Sequence, residues 1–179
     1  MGDSSETVKP SYLGLLNAVA VGELGGELLF NAWAGATKDP NVKALCETVA
    51  LREAEHARAF AKRIDELGFS VRHRDDPRLP DRVLKAKSKK LSDVEKFEQL
   101  GFSRGPKGGK DIFARFFDDM SIDIQTGELL GRYISEERDT GRRLRACYAS
   151  LMPESVAPGE PTTADKPKKP SKKKHKSKH

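Results

Sequence analysis

The sequence predicts an all-α protein: a four-helix bundle with one long crossover, followed by a disordered lysine-rich tail. Three observations carry this. Apolar residues recur at steps of three and four through residues 11–67 and again after residue 111. No segment alternates apolar and polar residues as a half-buried strand would. The charge is concentrated at one end: of a formal net +6, residues 153–179 supply +5, eight lysines against Glu154, Glu160 and Asp165. The chain divides into a flexible N-terminus (1–10), a helical bundle (11–152) and the tail (153–179).

Residues 11–36 form the first predicted helix, with Ser11 as N-cap. Thr37-Lys38-Asp39-Pro40 breaks it, because the residue before a proline is pushed out of the helical region. Residues 41–67 form a second periodic helix, which Gly68 is placed to terminate. Two long helices joined so closely run antiparallel. Residues 71–90, with Pro77 and Pro80, read as a long connection. Ser92 and Glu95 make a capping box for a short helix over 92–100. Gly101 to Lys110, with four glycines and a proline, is irregular. Asp111 opens a helical stretch that Pro153 stops after Leu151. Unbroken it would span ~60 Å, too long for a small domain, so a break is expected near 120–126, where Ser121, Asp123 and Thr126 offer caps.

The composition narrows the function classes. No uninterrupted apolar run approaches the ~18 residues of a membrane span, since Asn17, Glu23 and Glu27 intervene in the best candidate. Met1 to Pro10 has neither the basic start nor the apolar core of a secretory signal. Cys46 and Cys147 are too few for a disulfide framework and suit a reducing environment, so a cytoplasmic protein is expected.

Carboxylates stand where the core should be. The buried stripe of the second helix reads Leu45, Val49, Glu53, His56, Phe60, Ile64, Leu67. An unpaired buried carboxylate is costly, so a chain that places one there supplies a partner. Glu-x-x-His gives one helix an oxygen and an imidazole ligand on the same face. With the hairpin centred near Lys38, facing positions sum to about 76, which sets Glu23 opposite Glu53 and Glu27 opposite Val49. Glu23, Glu53 and His56 then share one level, half of a dinuclear site whose oxygens suit iron or manganese. The last helix presents Leu130, Tyr133, Ile134, Glu137, Gly141, Leu144, Tyr148 and Leu151, with Glu137 again a carboxylate in an apolar face. A fourth carboxylate is not singled out among Glu95, Glu98, Asp118 and Asp119.

GELGGELLFNAW around Glu23, followed by EAEH at 53–56, resembles the first half of a ferritin-like di-iron carboxylate protein. Gly22-Glu23-Leu24-Gly25 is particularly similar to the first metal helix of demethoxyubiquinone hydroxylases, and rubrerythrins share the arrangement. The resemblance covers residues 11–67 and implies a ferritin-like fold with iron on Glu23, Glu53 and His56. Such families repeat Glu-x-x-His in the last helix, where this chain has Glu137-Arg138-Asp139-Thr140. That departure leaves three outcomes: a site short of one ligand, a mononuclear site, or a decayed one.

Each residue also has a structural reading. Glu53 and His56 could form a satisfied core pair with Arg52 or Arg58, Glu23 could line a polar channel, and Glu137 could pair with Arg115, Arg132 or Arg138. Glu128, Glu136 and Asp139 read as a solvated face with Arg138, Arg142 and Arg143. Tyr133, Tyr148 and Trp33 read as packing residues, and both cysteines as small hydrophobes. His73 lies in a polar loop without a role.

Two functions follow. One is a di-iron oxidoreductase reacting with O2 or peroxide, as ferroxidase, peroxidase or hydroxylase. The other is a non-catalytic bundle that self-associates and binds nucleic acid or another polyanion nonspecifically through Lys168, Lys169, Lys172, Lys173, Lys174 and Lys176. A merely solubilising tail remains the plain alternative to the second.

Overall fold

The computed structural model describes residues 8–105, 116 and 118–152. These contain five helices and no strand: α1 (Leu13–Ala34), α2 (Pro40–Glu66), α3 (Leu79–Ala86), α4 (Asp93–Gln99) and α5 (Ile124–Leu151). The lysine-rich tail and the expected helix start at Asp111 lie outside the described residues.

α1 and α2 form the expected antiparallel hairpin. Asp39 caps α2, its side chain accepting from the backbone N–H groups of Asn41 and Val42, while Pro40 occupies a first-turn position where its missing N–H costs no hydrogen bond. At the far end Gly68 adopts φ +82°, the left-handed conformation that a side chain would disfavour. Phe69 N–H reaches back to the carbonyl of Ile64 and Gly68 N–H to that of Asp65, closing the helix in a Schellman motif.

Two expectations about helix starts need correction. Ser11 does not cap α1: the N-cap position belongs to Tyr12, without a side-chain cap, and the Ser11 hydroxyl bonds Asp119 and Ser121 instead. Residues 71–90 are not all connection, because α3 begins within them. Pro80 lies in its first turn, where a proline is compatible with a helix, so its presence marked a start rather than a break. α4 begins with the Ser92–Glu95 capping box that the sequence spells.

The break before α5 falls where capping side chains predicted it. Asp123 is the N-cap, accepting from Thr126 N–H and also from Tyr12 Oη at 2.6 Å and Arg63 Nη2 at 2.8 Å. One carboxylate thereby ties the start of α5 to the beginning of α1 and the end of α2.

α1 packs along α2 and against α3, while α5 packs on α2 and touches α4. By length and composition α1 could cross a membrane, its mean hydropathy over the best window reaching 1.4 despite Glu23 and Glu27. Here that apolarity meets α2, with Leu16, Leu29 and Trp33 buried. The core forms two clusters. One gathers Leu16, Phe60, Ile64, Leu130 and Ile134 near the start of α1; the other gathers Phe30, Trp33, Val42, Cys46, Phe97 and Leu144 near the hairpin loop. Glu23, Glu53 and His56 fall between the residues of these two clusters along α1 and α2.

Candidate metal centre

Three helices deliver the polar residues at that level. Glu23 comes from α1, Glu53 and His56 from α2, and Tyr133, Glu136 and Glu137 from α5. Glu23, Glu53 and His56 are 6, 8 and 3% exposed, so these groups sit in the core rather than at its edge.

His56 is at the centre. Its Nδ1 lies 3.2 Å from Glu23 Oε2 and 3.7 Å from Glu137 Oε1, and its Nε2 lies 2.6 Å from Glu136 Oε2. Tyr133 Oη donates to the other oxygen of Glu23 at 3.0 Å, and its ring meets the imidazole edge-on. Glu137 Oε1 is buried and accepts no hydrogen bond among the described residues. A buried carboxylate oxygen without a donor is costly unless a proton or cation joins it.

Glu53 is held by close backbone approach. A Cβ built on Gly26 would lie 2.1 Å from Glu53 Oε2, so with any other residue there this carboxylate would have to shift. The register is therefore about three residues further along than the hairpin midpoint predicts, with Glu23 beside His56 and Gly26 beside Glu53. Helical side chains lean toward their own N-terminus, so in an antiparallel pair each residue covers the partner about one position early and the facing sum rises by about two.

The electrostatics follow from burial and crowding. Burial, together with the Glu23 and Glu137 carboxylates, pushes the Glu53 carboxyl up to about 10. Burial and the adjacent Glu23 raise Glu137 to about 7. Burial by itself would lower His56, but hydrogen bonds to Glu23 and Glu136 outweigh it and hold the imidazole above its usual range. Without a metal the level is thus rich in protons, with carboxylate oxygens facing both imidazole nitrogens.

The donor set fits a small divalent cation. One oxygen or nitrogen from each of Glu23, His56 and Glu137 lies within 4.8 Å of the others. Two ligands each ~2.1 Å from a shared ion are separated by roughly 3.0–3.4 Å at octahedral or tetrahedral angles, close to the 3.2 and 3.7 Å found at Nδ1. Carboxylates with one imidazole suit iron or manganese.

The remaining residues fall differently from their sequence reading. Glu136, expected on a solvated face, bonds His56 and Arg132 and brings a further carboxylate to the cluster. Its sequence signals were adjacency to Glu137 and a step of three from Tyr133 on the inward stripe. Glu95 closes the α4 capping box, Glu98 accepts from Tyr148 and Asp119 from Ser121, so each of these has a role elsewhere. Asp118 is exposed, and Glu27 is half-buried outside the triad. Thr140 is buried where the second Glu-x-x-His would place an imidazole. Its hydroxyl accepts from Arg52 Nη1 at 2.9 Å, and the same nitrogen donates to Asp139 and to the Glu136 carbonyl. Arg52 therefore joins α2 to α5 and does not pair with Glu53 across the cluster.

Two clefts border the level. One of about 360 Å3 opens between α2 and α5 and reaches His56 and Tyr133 past Arg58 and Arg132. The other, about 290 Å3, runs from α3 over the glycines of α1 to Glu53 and Glu137. Compared with known protein families, curated proteins and solved structures, the chain matches none.

Proposed function

We propose that the protein binds redox-active divalent metal at this level and acts as a ferritin-like di-iron carboxylate oxidoreductase using O2 or peroxide. In this reading the fold is a ferritin-like four-helix bundle. Glu23, His56 and Glu137 would hold the first ion through the Nδ1 side of the imidazole, Glu53 would extend the set toward a second, and Glu136 on Nε2 would orient the ring. The supporting observation is the convergence of Glu23, His56 and Glu137 in the core, with one Glu137 oxygen lacking a donor among the described residues. Four carboxylates also balance the charge of two divalent ions.

The chain's own residues have defined tasks. His56, Glu53 and Glu137 would each give up a proton when a cation binds, so affinity should rise with pH. Tyr133 orients Glu23 through its hydrogen bond. Arg52 holds α5 in register with α2. Iron held there would supply electrons to O2 or peroxide. Oxygen uptake by the anaerobically Fe(II)-loaded full chain tests the reading: rapid uptake that disappears in His56→Ala supports it, and uptake no faster than that of free iron contradicts it.

A second reading rests on the tail. Eight lysines with no interleaved aromatic residue suit nonspecific binding to nucleic acid phosphates by counterion release, without base stacking. Binding should collapse between ~50 and ~200 mM salt. Deleting residues 153–179 should abolish it while leaving metal binding intact; retention of binding after the deletion overturns this reading.

A further inference from the structure

The cleft between α1 and α3 has the chemistry of a binding site. Gly22, Gly25 and Gly26 line it from α1, Gly25 covered by Leu79 and Gly26 by the Glu53 carboxylate, and its apolar lining includes Leu79 and Phe102. The volume of about 290 Å3 lies at the lower end of small-molecule sites, which run from roughly 300 to 1,000 Å3. The two ends differ. The inner end is bounded by the carboxyl groups of Glu53 and Glu137. The mouth carries Arg74 and Arg82.

The arginines are available. Among the described residues the exposed Arg74 guanidinium has no hydrogen bond or ion pair. Arg82 lies over the Phe102 ring at 5.8 Å and makes one long bond, 3.5 Å, to the Leu100 carbonyl, which leaves most of its N–H groups unused. Asp76, the remaining charge in the cleft, is engaged by the Arg78 side chain and backbone N–H. An anion is thus attracted at the mouth by two guanidinium groups, while the inner end offers only carboxyl groups.

We propose that this cleft binds a small organic carboxylate, its head on Arg74 and Arg82 and its apolar body along Gly22, Leu79 and Phe102, with the far end toward Glu53 and Glu137. The inference rests on the metal-site reading for the chemistry at that far end, and names the substrate class as a single-ring or short-chain carboxylic acid. Guanidinium groups recognise carboxylates through paired N–H donors, and apolar walls discriminate by size.

The full-length chain is titrated with benzoate and hexanoate by calorimetry, with and without bound Fe(II); benzyl alcohol and inorganic phosphate serve as the neutral and the body-less probes. Two variants locate the site. Arg74→Gln removes an exposed charge that no described residue uses. Gly22→Leu adds an isobutyl group to the cleft lining from a position where a new Cβ meets nothing within 4 Å, and circular dichroism checks that the fold is kept. The proposal expects benzoate or hexanoate to bind more tightly than either control, affinity to fall roughly tenfold in Arg74→Gln, and binding to be lost in Gly22→Leu. It is overturned if neither acid binds, if phosphate binds as well as benzoate, or if affinity survives both substitutions. Acid binding without any iron binding would sink the metal reading and leave the cleft assignment standing; iron binding without acid binding would do the reverse.

Discussion

Gly26→Ala separates the packing of α1 from the chemistry of the polar level. Replacing a mid-helix glycine by alanine stabilises an unobstructed helix by about 1 kcal/mol. At Gly26 the new methyl group would lie 2.1 Å from Glu53 Oε2, 2.8 Å from its Cδ and 3.2 Å from its Cγ, so the carboxylate must leave its place. Overpacking of this kind costs about 1–3 kcal/mol, so the net effect runs from no change to a loss of about 2 kcal/mol. Gly131→Ala is the control, because a Cβ there meets nothing within 4 Å. It should raise the unfolding temperature by ~2–4 °C for a chain of this size. Thermal unfolding of the metal-free proteins and Fe(II) titration read the two effects. Gly26→Ala should lack that gain and bind iron at least ~10-fold more weakly, since a displaced ligand costs no less than a disturbed outer-shell partner. If Gly26→Ala gains as much as Gly131→Ala and binds iron as the parent does, Glu53 does not occupy the position described.

Other perturbations test the frame around the site. Asp93 accepts from Trp33 Nε1 and Thr37 Oγ1 and lies 3.8 Å from the amine of Lys96, which is 2% exposed. Asp93→Ala should cost about 3 kcal/mol in denaturant unfolding and alter tryptophan emission, and adding Lys96→Met should recover much of the loss by removing the unpaired buried charge. Asp123 is held below the usual carboxylate range: burial would raise it, but hydrogen bonds from Tyr12, Thr126 and Arg63 prevail. A carboxylate depressed in the folded state stabilises above its unfolded value of ~3.9, and that stability fades as pH falls through the lower folded value. Asp123→Ala should therefore flatten the acid limb of the stability profile and cost about 1–2 kcal/mol at pH 7 through the lost cap, as urea unfolding across pH would show. Arg52→Met should weaken iron binding by loosening α5 on α2, without removing a cluster carboxylate; unchanged affinity would show that Arg52 does not position that helix.

Much of the hairpin was legible because its signals are local. Asp39-Pro40, the Ser92–Glu95 box, Asp123 and Gly68 each act within a few residues of themselves, and the structure uses each one. The stripe of α2 placed Glu53 and His56 inward because helical periodicity is strict. Three features escaped for physical reasons. Pro80 was read as a breaker, although in a first helical turn it breaks nothing. Glu136 lies half a face away from the apolar stripe of α5, and only tertiary packing turns it onto His56. Gly26 carries no side-chain signal at all, and its role emerges only when the Glu53 carboxylate is found against it. Thr140 marked a gap in the expected ligand pattern, but nothing in the sequence linked it to Arg52, 88 positions away.

The most direct measurement is iron stoichiometry at equilibrium: anaerobic Fe(II) titration of the full chain, with bound metal counted per chain in the parent and in His56→Ala and Glu137→Gln. The account predicts two ions per chain in the parent and loss of tight binding in both variants, with the helical circular dichroism of each preserved. No tightly bound iron in the parent, or iron held equally well after both substitutions, would contradict it.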